Sequence, residues 1–299
     1  MLPLETGYTS TTVNWAQMEN EGVEVALTTR NIHTKDFTWF TNLNFGYNDN
    51  TVLRETVAEN AIKPSREGYS VGAIFAYKTA GLDDEGYPLF LTQDGRKVTA
   101  TEFFKLNNAG ASTLSAEEQR NLYSYIGSTE PKVSGGFMNT FKYKRVTLGI
   151  NCIFNFGMYV QTTPTYDPTN YDRGLNSNRD ILNRWTPDHT NTTLPKLMTE
   201  NDGRTGEYLR YKEQNLFREL DIWVKKQNYF RFESIRLGYE LPEKWLKPVG
   251  IKSASVSLEG RNLWVIASNY HNYLDPETMG NPYAAPIPKS FIFGLNVNF

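Results

Sequence analysis

The sequence is poor in the features that mark helical membrane proteins, metalloenzymes and disulfide-stapled domains. No run approaches the roughly 18 consecutive apolar residues of a membrane-spanning helix, and the mean hydropathy is -0.53. Any membrane crossing must therefore be made by strands. The one cysteine, Cys152, allows no internal disulfide, so the redox compartment is not readable, and its place at an apolar strand position points to packing. The three histidines, His33, His189 and His271, have neither HxH nor HxxxH spacing, which reads them as surface residues and not zinc ligands. A formal charge of -2 and a pI near 6.0 exclude the basic footprint of a nucleic-acid binder. Hydrophobic content is only 39% over 299 residues, yet aromatics reach 14%, with 18 Tyr, 17 Phe and 6 Trp. That combination suits aromatic girdles around a polar interior.

The abundant signal is two-residue alternation, clearest in the last ten residues, SFIFGLNVNF. Phe291, Phe293, Leu295, Val297 and Phe299 fall on one face, and Ser290, Gly294, Asn296 and Asn298 on the other, with Ile292 the apolar exception. At about 3.3 Å per residue and a tilt near 45°, this length matches the thickness of a bilayer core. The same pattern recurs over Val23 to Thr28, Phe37 to Asn48 (broken by Phe40), Gly135 to Tyr143, Val146 to Val160, Asn228 to Glu240 and Ile251 to Leu263. With Val71 to Thr79 added as a third strand, the expectation is an all-β, antiparallel transmembrane barrel segment of about eight strands. A soluble β-sandwich that binds carbohydrate would share the alternation but needs a dry core between two sheets.

Between the strands lie long connections, Ala80 to Pro131, Gln161 to Lys226 and Trp264 to Lys289. The first holds a hairpin around Gln93-Asp94-Gly95-Arg96 and a helix over Ser115 to Tyr125 opened by a Ser115-x-x-Glu118 capping box. The connection Asp49 to Tyr69 and the turns at Lys144 and Pro242 are expected on the opposite side, an asymmetry typical of outer-membrane barrels. Trp39, Trp223, Trp245 and Trp264 sit at strand ends or turns, where interfacial belts hold tryptophan. Tyr166, Tyr171, Trp185, Tyr208, Tyr270, Tyr273 and Tyr283 lie in the long connections; they either stack on a ligand or partner or pack the connections together. Of these, Trp185, Tyr273, Tyr166 and Tyr171 are the candidate ligand- or lid-facing residues. Catalytic chemistry finds little support. Glu233 beside Arg231 and Arg236 reads as a charged row, because a glycosidase needs two opposed carboxylates. The run DPTNYDRG, from Asp167 to Gly174, fails calcium-loop spacing.

Several stretches resemble the C-terminal part of SusC/RagA-type TonB-dependent outer-membrane transporters. They are MENEGVEVALTTRNIHTKDFTWFTNLNFGYNDNTV from Met18, YKTAGL from Tyr77, NRWTPDHTNT from Asn183, NYFRFESIRLGYELP from Asn228, GRNLW from Gly260 and the terminal FIFGLNVNF. They occur in the family's order and span nearly the whole chain. The resemblance implies a plugged barrel of about 22 strands in the cell outer membrane, importing glycan or peptide nutrients and needing no cofactor. It also implies a SusD-like surface lipoprotein lid, energy from TonB through an N-terminal region, and contact with outer-membrane lipid. The alternating, aromatic-ended strand Phe291 to Phe299 resembles the signal read by the barrel assembly machinery. Residues 1–299 are thus expected to form one C-terminal barrel portion. Met1-Leu2-Pro3-Leu4-Glu5 has no basic start and no apolar core, so signal, plug, TonB-contacting box and earlier strands are expected outside this sequence.

Overall fold

A computed structural model describes residues 16–171, 178–268, 275–281 and 284–299. Strands β1 (Gln17–His33) and β2 (Phe37–Arg54) form a hairpin closed at Thr34, whose hydroxyl accepts from Phe37 N at 3.0 Å. The first long connection carries β3 (Ala73–Ala76), β4 (Thr79–Leu82), β5 (Pro88–Leu91), β6 (Lys97–Val98), α1 (Ala100–Phe104), α2 (Ala116–Arg120) and β7 (Ser124–Ser128). A second hairpin, β8 (Val133–Tyr143) and β9 (Val146–Gln161), turns at Lys144, which takes a left-handed φ of 54°. The second long connection carries 3-10 turns and α3 (Thr205–Gln214). It leads to β10 (Val224–Glu240), a short α4 (Glu243–Leu246), β11 (Ser253–Ala267) and finally β12 (Ser290–Asn298).

Seven strands make one antiparallel sheet in the order β1-β2-β8-β9-β10-β11-β12. The expected third strand is the exception. Ala73–Ala76 pairs only with β7, in a separate two-stranded sheet inside the first long connection. Its run Ala73-Ile74-Phe75-Ala76-Tyr77 is apolar at consecutive positions, the mark of a short strand buried on both sides, not of one facing lipid on one side. Removing it sharpens the asymmetry. Turns 34–36 and 144–145 and the link 241–252 close one end, while connections 55–132, 162–223 and 268–289 all leave the other. The segment Asp49 to Tyr69 therefore leaves from the end opposite to the one expected from the sequence.

Register brings the alternating rows together across strands. Val25, Phe45 and Gly135 pair in series, as do Leu27, Leu43, Phe137, Cys152, Phe232 and Trp264. Farther along, Leu148 pairs with Leu237, Leu237 with Leu258 and Leu258 with Phe293. One continuous apolar face results, and its side chains are the most exposed large apolar groups of the sheet: Phe291 and Phe293 are 73% exposed. The other face carries Asn42, Asn44, Asn151, Ser255, Ser257 and Asn296. Phe40, which breaks the polar row, lies under the Arg30 guanidinium at 5.2 Å. The motif GRNLW makes a β-bulge: Asn262 adopts φ 53°, and Leu263 folds over Gly260 so closely that a Cβ there would sit 2.9 Å from it. No second sheet stacks on the apolar face among the described residues, so the dry core of a sandwich is missing.

The long connections do bury a core. Tyr77, Tyr87, Phe90, Phe104, Tyr208, Leu216, Phe217 and Trp223 cluster there, drawn from both 55–132 and 162–223. Regions that read as irregular and polar thus fold together as one unit above the sheet. Ile74, Ala76 and Val224, with Ile126 and Tyr159 against them, form the seam to β9 and β10.

Candidate functional site

Two surfaces offer themselves for binding, the polar face of the sheet and the folded long-connection unit at its end. On the polar face, Thr140, Thr147, Asn151, Arg236, Ser257 and Glu259 line a shallow trough. Its groups are mostly cross-bonded. Asn151 donates to Glu233 at 2.6 Å, Arg236 to Ser257 at 3.3 Å and Arg261 to Glu259 at 2.6 Å. Glu233 is the extra residue of a bulge between Phe232 and Ser234, which turns it toward Asn151. Arg231 is buried and donates to Asp275 and Glu277 of the last long connection, at 2.5 and 2.6 Å. The charged row read from the sequence is therefore a set of structural ties.

The long-connection unit is knitted by bonds between its two halves. Tyr77 N donates to Glu219 O and Asp221 N returns one to Tyr77 O, while Thr79 donates through its amide and its hydroxyl to the Asp221 carboxylate. Arg204 reaches Asp83 at 2.6 Å and Glu85 at 3.0 Å and lies 4.5 Å from the Tyr87 ring centre. The Tyr87 hydroxyl donates to Asp202 at 2.8 Å. Burial would push the Asp202 carboxyl up, but bonds from Thr199, Lys196 and Tyr87 outweigh it and hold the group at about 2. Burial pushes the Tyr77 hydroxyl up to about 12 and the Tyr123 hydroxyl well above its ordinary value. Both phenols stay neutral: Tyr123 donates to Glu219, whereas the Tyr77 hydroxyl is buried with no hydrogen-bond partner among the described residues. The motif YKTAGL supplies the centre of this unit, since Tyr77 is fully buried and stacks on Tyr123 at 4.1 Å.

The candidate aromatics divide. Tyr166 is buried against Phe217 and donates its hydroxyl to Pro195 O at 2.7 Å, and Tyr208 is buried in the same core; neither ring offers a face to a ligand. Trp185 is half-buried with its ring over Gly86, where an added Cβ would come within 2.5 Å, and its amide bonds Leu194 O. It docks one connection on the other while keeping an open edge. Tyr171, within the second connection, is half-buried. Tyr270, Tyr273, Tyr283 and His271 lie outside the described residues. Of the tryptophans expected in belts, Trp245 and Trp264 are exposed at 58% each, Trp39 donates to Asn139 at 2.9 Å on the apolar face, and Trp223 is instead buried in the connection core.

The terminal row Phe291, Phe293, Leu295, Val297 lies on the apolar face of the edge strand β12, and Phe299 beyond it is exposed. Cys152 is buried on that face between Phe137 and Phe232. His33 is exposed; His189 Nδ1 lies 3.1 Å from Arg184 O. Asp167 accepts from the amide and hydroxyl of Thr169, and residues 172–174 of that run lie outside the described residues. No group of three or more metal-ligating side chains occurs among the described residues. The residues that sequence reading missed are Asp275 and Glu277, and the signal available was a lone interior Arg231 needing an anionic partner.

No protein-family model matches the chain. Over its whole length it is 25% identical to TonB-dependent receptor P3 of Formosa agariphila and 21% identical to the TonB-dependent receptor SusC of Bacteroides thetaiotaomicron. It covers 30% and 28% of those proteins, so the chain spans less than a third of the curated relatives it matches. All of it superposes on 31% of a chain of the RagAB peptide transporter with a TM-score of 0.72 at 24% identity, and equally on the RagAB peptide importer in its closed-closed state. The fold is that of an antiparallel β-barrel segment, and the resemblance to SusC/RagA-type TonB-dependent receptors runs the length of the chain.

Proposed function

We propose that this chain is the C-terminal barrel portion of a TonB-dependent outer-membrane importer of glycans or peptides. One observation carries the reading: a seven-stranded sheet whose largest apolar side chains point outward, joined by short turns at one end and a folded cap at the other, in a chain similar throughout to TonB-dependent receptors. An apolar outer face and a polar inner face suit a strand wall between lipid and an aqueous lumen. Such a wall does no covalent chemistry, so the chain acts as a transporter part and not an enzyme. The rest follows from the family. A SusD-like lipoprotein closes on the long-connection end, TonB acts through an N-terminal region outside this sequence, and the barrel assembly machinery reads Phe291 to Phe299. The open edge of Trp185, with Tyr171 and Tyr273, is offered for contact with lid or substrate.

The test is uptake by cells carrying the full-length protein, with labelled oligosaccharides and labelled peptides supplied separately, with and without TonB. Energised accumulation of one class that disappears without TonB is expected. Equal uptake of both classes without TonB, or a protein recovered from the soluble fraction, would sink the reading. Trp185→Ala should lower uptake or lid association at an unchanged level of heat-modifiable barrel.

A further inference from the structure

The third long connection does not stay on the rim. One described part of it, residues 275–281, is coiled into two successive turns by bonds from Thr278 N to Asp275 O and from Asn281 N to Thr278 O, at 3.0 and 2.9 Å. Pro276 is fully buried and Met279 nearly so. Two contacts say what it lies against. Asp275 and Glu277 both accept from Arg231 of β10, and Gly280 meets Val160 of β9 so closely that a Cβ there would be 2.9 Å from the valine methyl. Both anchors are on the polar face. Arg231 pairs with Ile153 and Tyr229 with Asn155, one row apart on β10, and the Gly157 bulge on β9 keeps Val160 on that side. Tyr229, Gln227 and Arg231 are all buried here, at the end of the face from which the long connections leave.

We propose that residues 275–281 form a strap closing the long-connection end of the lumen over β9 and β10, and that Arg231 is its latch. This rests on the reading of the sheet as a barrel wall. A buried ion cluster stabilises little against a hydrophobic replacement, and its best-attested use is to select one arrangement over another. Here the arrangement selected is the inward one: one guanidinium, buried on the strand, donates through Nε to Glu277 and through Nη2 to Asp275, two charge-assisted bonds to the strap. Glu277 N also donates to Asp275 at 3.0 Å, so the two carboxylates are set relative to each other before they meet Arg231. Swinging the strap outward breaks both charge-assisted bonds together, which makes the movement two-state and not gradual. Anything passing along β9 and β10 on the polar face at this end meets the strap, so the latch limits passage there.

The experiment uses the full-length protein with Val160→Cys and Gly280→Cys in a Cys152→Ala background. The contact above places the two Cβ atoms within about 4.4 Å, inside the window for a disulfide. Mild oxidation should crosslink most molecules in folded, heat-modifiable barrel. The rate should fall at least five-fold on adding Arg231→Met or, should that variant not fold, Asp275→Asn with Glu277→Gln. The oxidised pair should import at least five-fold more slowly than the reduced pair and recover with dithiothreitol. Absence of a crosslink in folded protein, or crosslinking with import unchanged, overturns the strap. If even the reduced parent imports nothing, the transport reading fails separately, and equal crosslinking rates with and without Arg231 then overturn the latch.

Discussion

The sheet and the unit formed by its long connections treat their apolar residues in opposite ways. In the sheet large apolar side chains stand exposed: Phe291, Phe293 and Ile266 project from an uncovered face. In the connections the largest are the least exposed, with Tyr77, Phe90 and Phe104 at 0%. Water cannot favour both arrangements, because leaving an aromatic exposed forfeits about 1.5–3 kcal/mol of burial each time. The difference assigns a solvent to each region. The connection unit is built for water and holds itself by its own core, whereas the sheet is built for an apolar surround and holds itself by its ladders, the only way strands can satisfy backbone groups there.

The largest effect that tests this contrast is in the connection core. Phe104→Ala should cost about 3–5 kcal/mol, because the ring packs edge-on to Tyr77 and Phe90 at 4.8 and 5.3 Å and under Arg210. Limited proteolysis should then cut within 55–132 and 162–223 while the barrel keeps its heat-modifiable gel mobility. Loss of the barrel at the same step would show that the two regions share one stability.

The sheet is probed by the reverse change. Leu43→Arg on the apolar face should cost about 2–4 kcal/mol near the bilayer midplane, while Asn44→Arg on the polar face is tolerated. Urea unfolding of full-length barrel in lipid vesicles measures both. Equal costs would mean that the two faces meet the same medium.

How much of this contrast was legible depends on periodicity. Strands with one apolar face announce themselves, and the rows Phe37 to Tyr47 and Val146 to Phe154 fall on one side of the sheet as read. The bulges did not show, although Asn262 in GRNLW is the residue type that tolerates the left-handed φ a bulge here requires. The connection core was missed because its apolar residues follow no period. In α3 the buried positions are Glu207, Tyr208, Arg210 and Tyr211, so charged residues occupy the inner face and the helical stripe disappears. Glu207 is held by Thr101 and Arg210 by the Phe104 ring, partners about a hundred positions away that no local reading reaches. Among the candidate site residues, Tyr166 and Trp185 stand in polar stretches that look exposed; what buries or covers them, Phe217 and Gly86, belongs to other segments.

Acid should separate the regions with a smaller effect. The Asp202 carboxyl, held at about 2 against an ordinary 3.8, contributes stability that is complete above the unfolded value and fades as pH falls from about 5 toward 2. Allowing for screening, the contribution is about 1–2 kcal/mol. Asp202→Asn should remove that part of the acid sensitivity of the connection unit and leave the unfolding of the sheet unchanged. Protease susceptibility as a function of pH reads the first, and gel mobility the second. An unaltered pH profile in the variant would remove Asp202 from the account.

The smallest effect belongs to α2, the one helix whose capping box was readable from sequence. Ser115 accepts from Glu118 N at 3.2 Å, and Glu118 accepts from Ser115 N at 2.8 Å, so each satisfies an amide left free by the helix start. Yet none of the residues of α2 is buried, and the helix therefore adds nothing to the core that Tyr77 and Phe104 hold. Ser115→Ala should speed amide exchange at Glu118 and its neighbours by about five-fold, the usual consequence of a lost cap, with no change at Phe103 or Tyr208. Exchange that quickened throughout the connection unit would mean that α2 is coupled to the core. It would also blur the contrast, because a water-facing helix would then share in stabilising what the sheet supports from below.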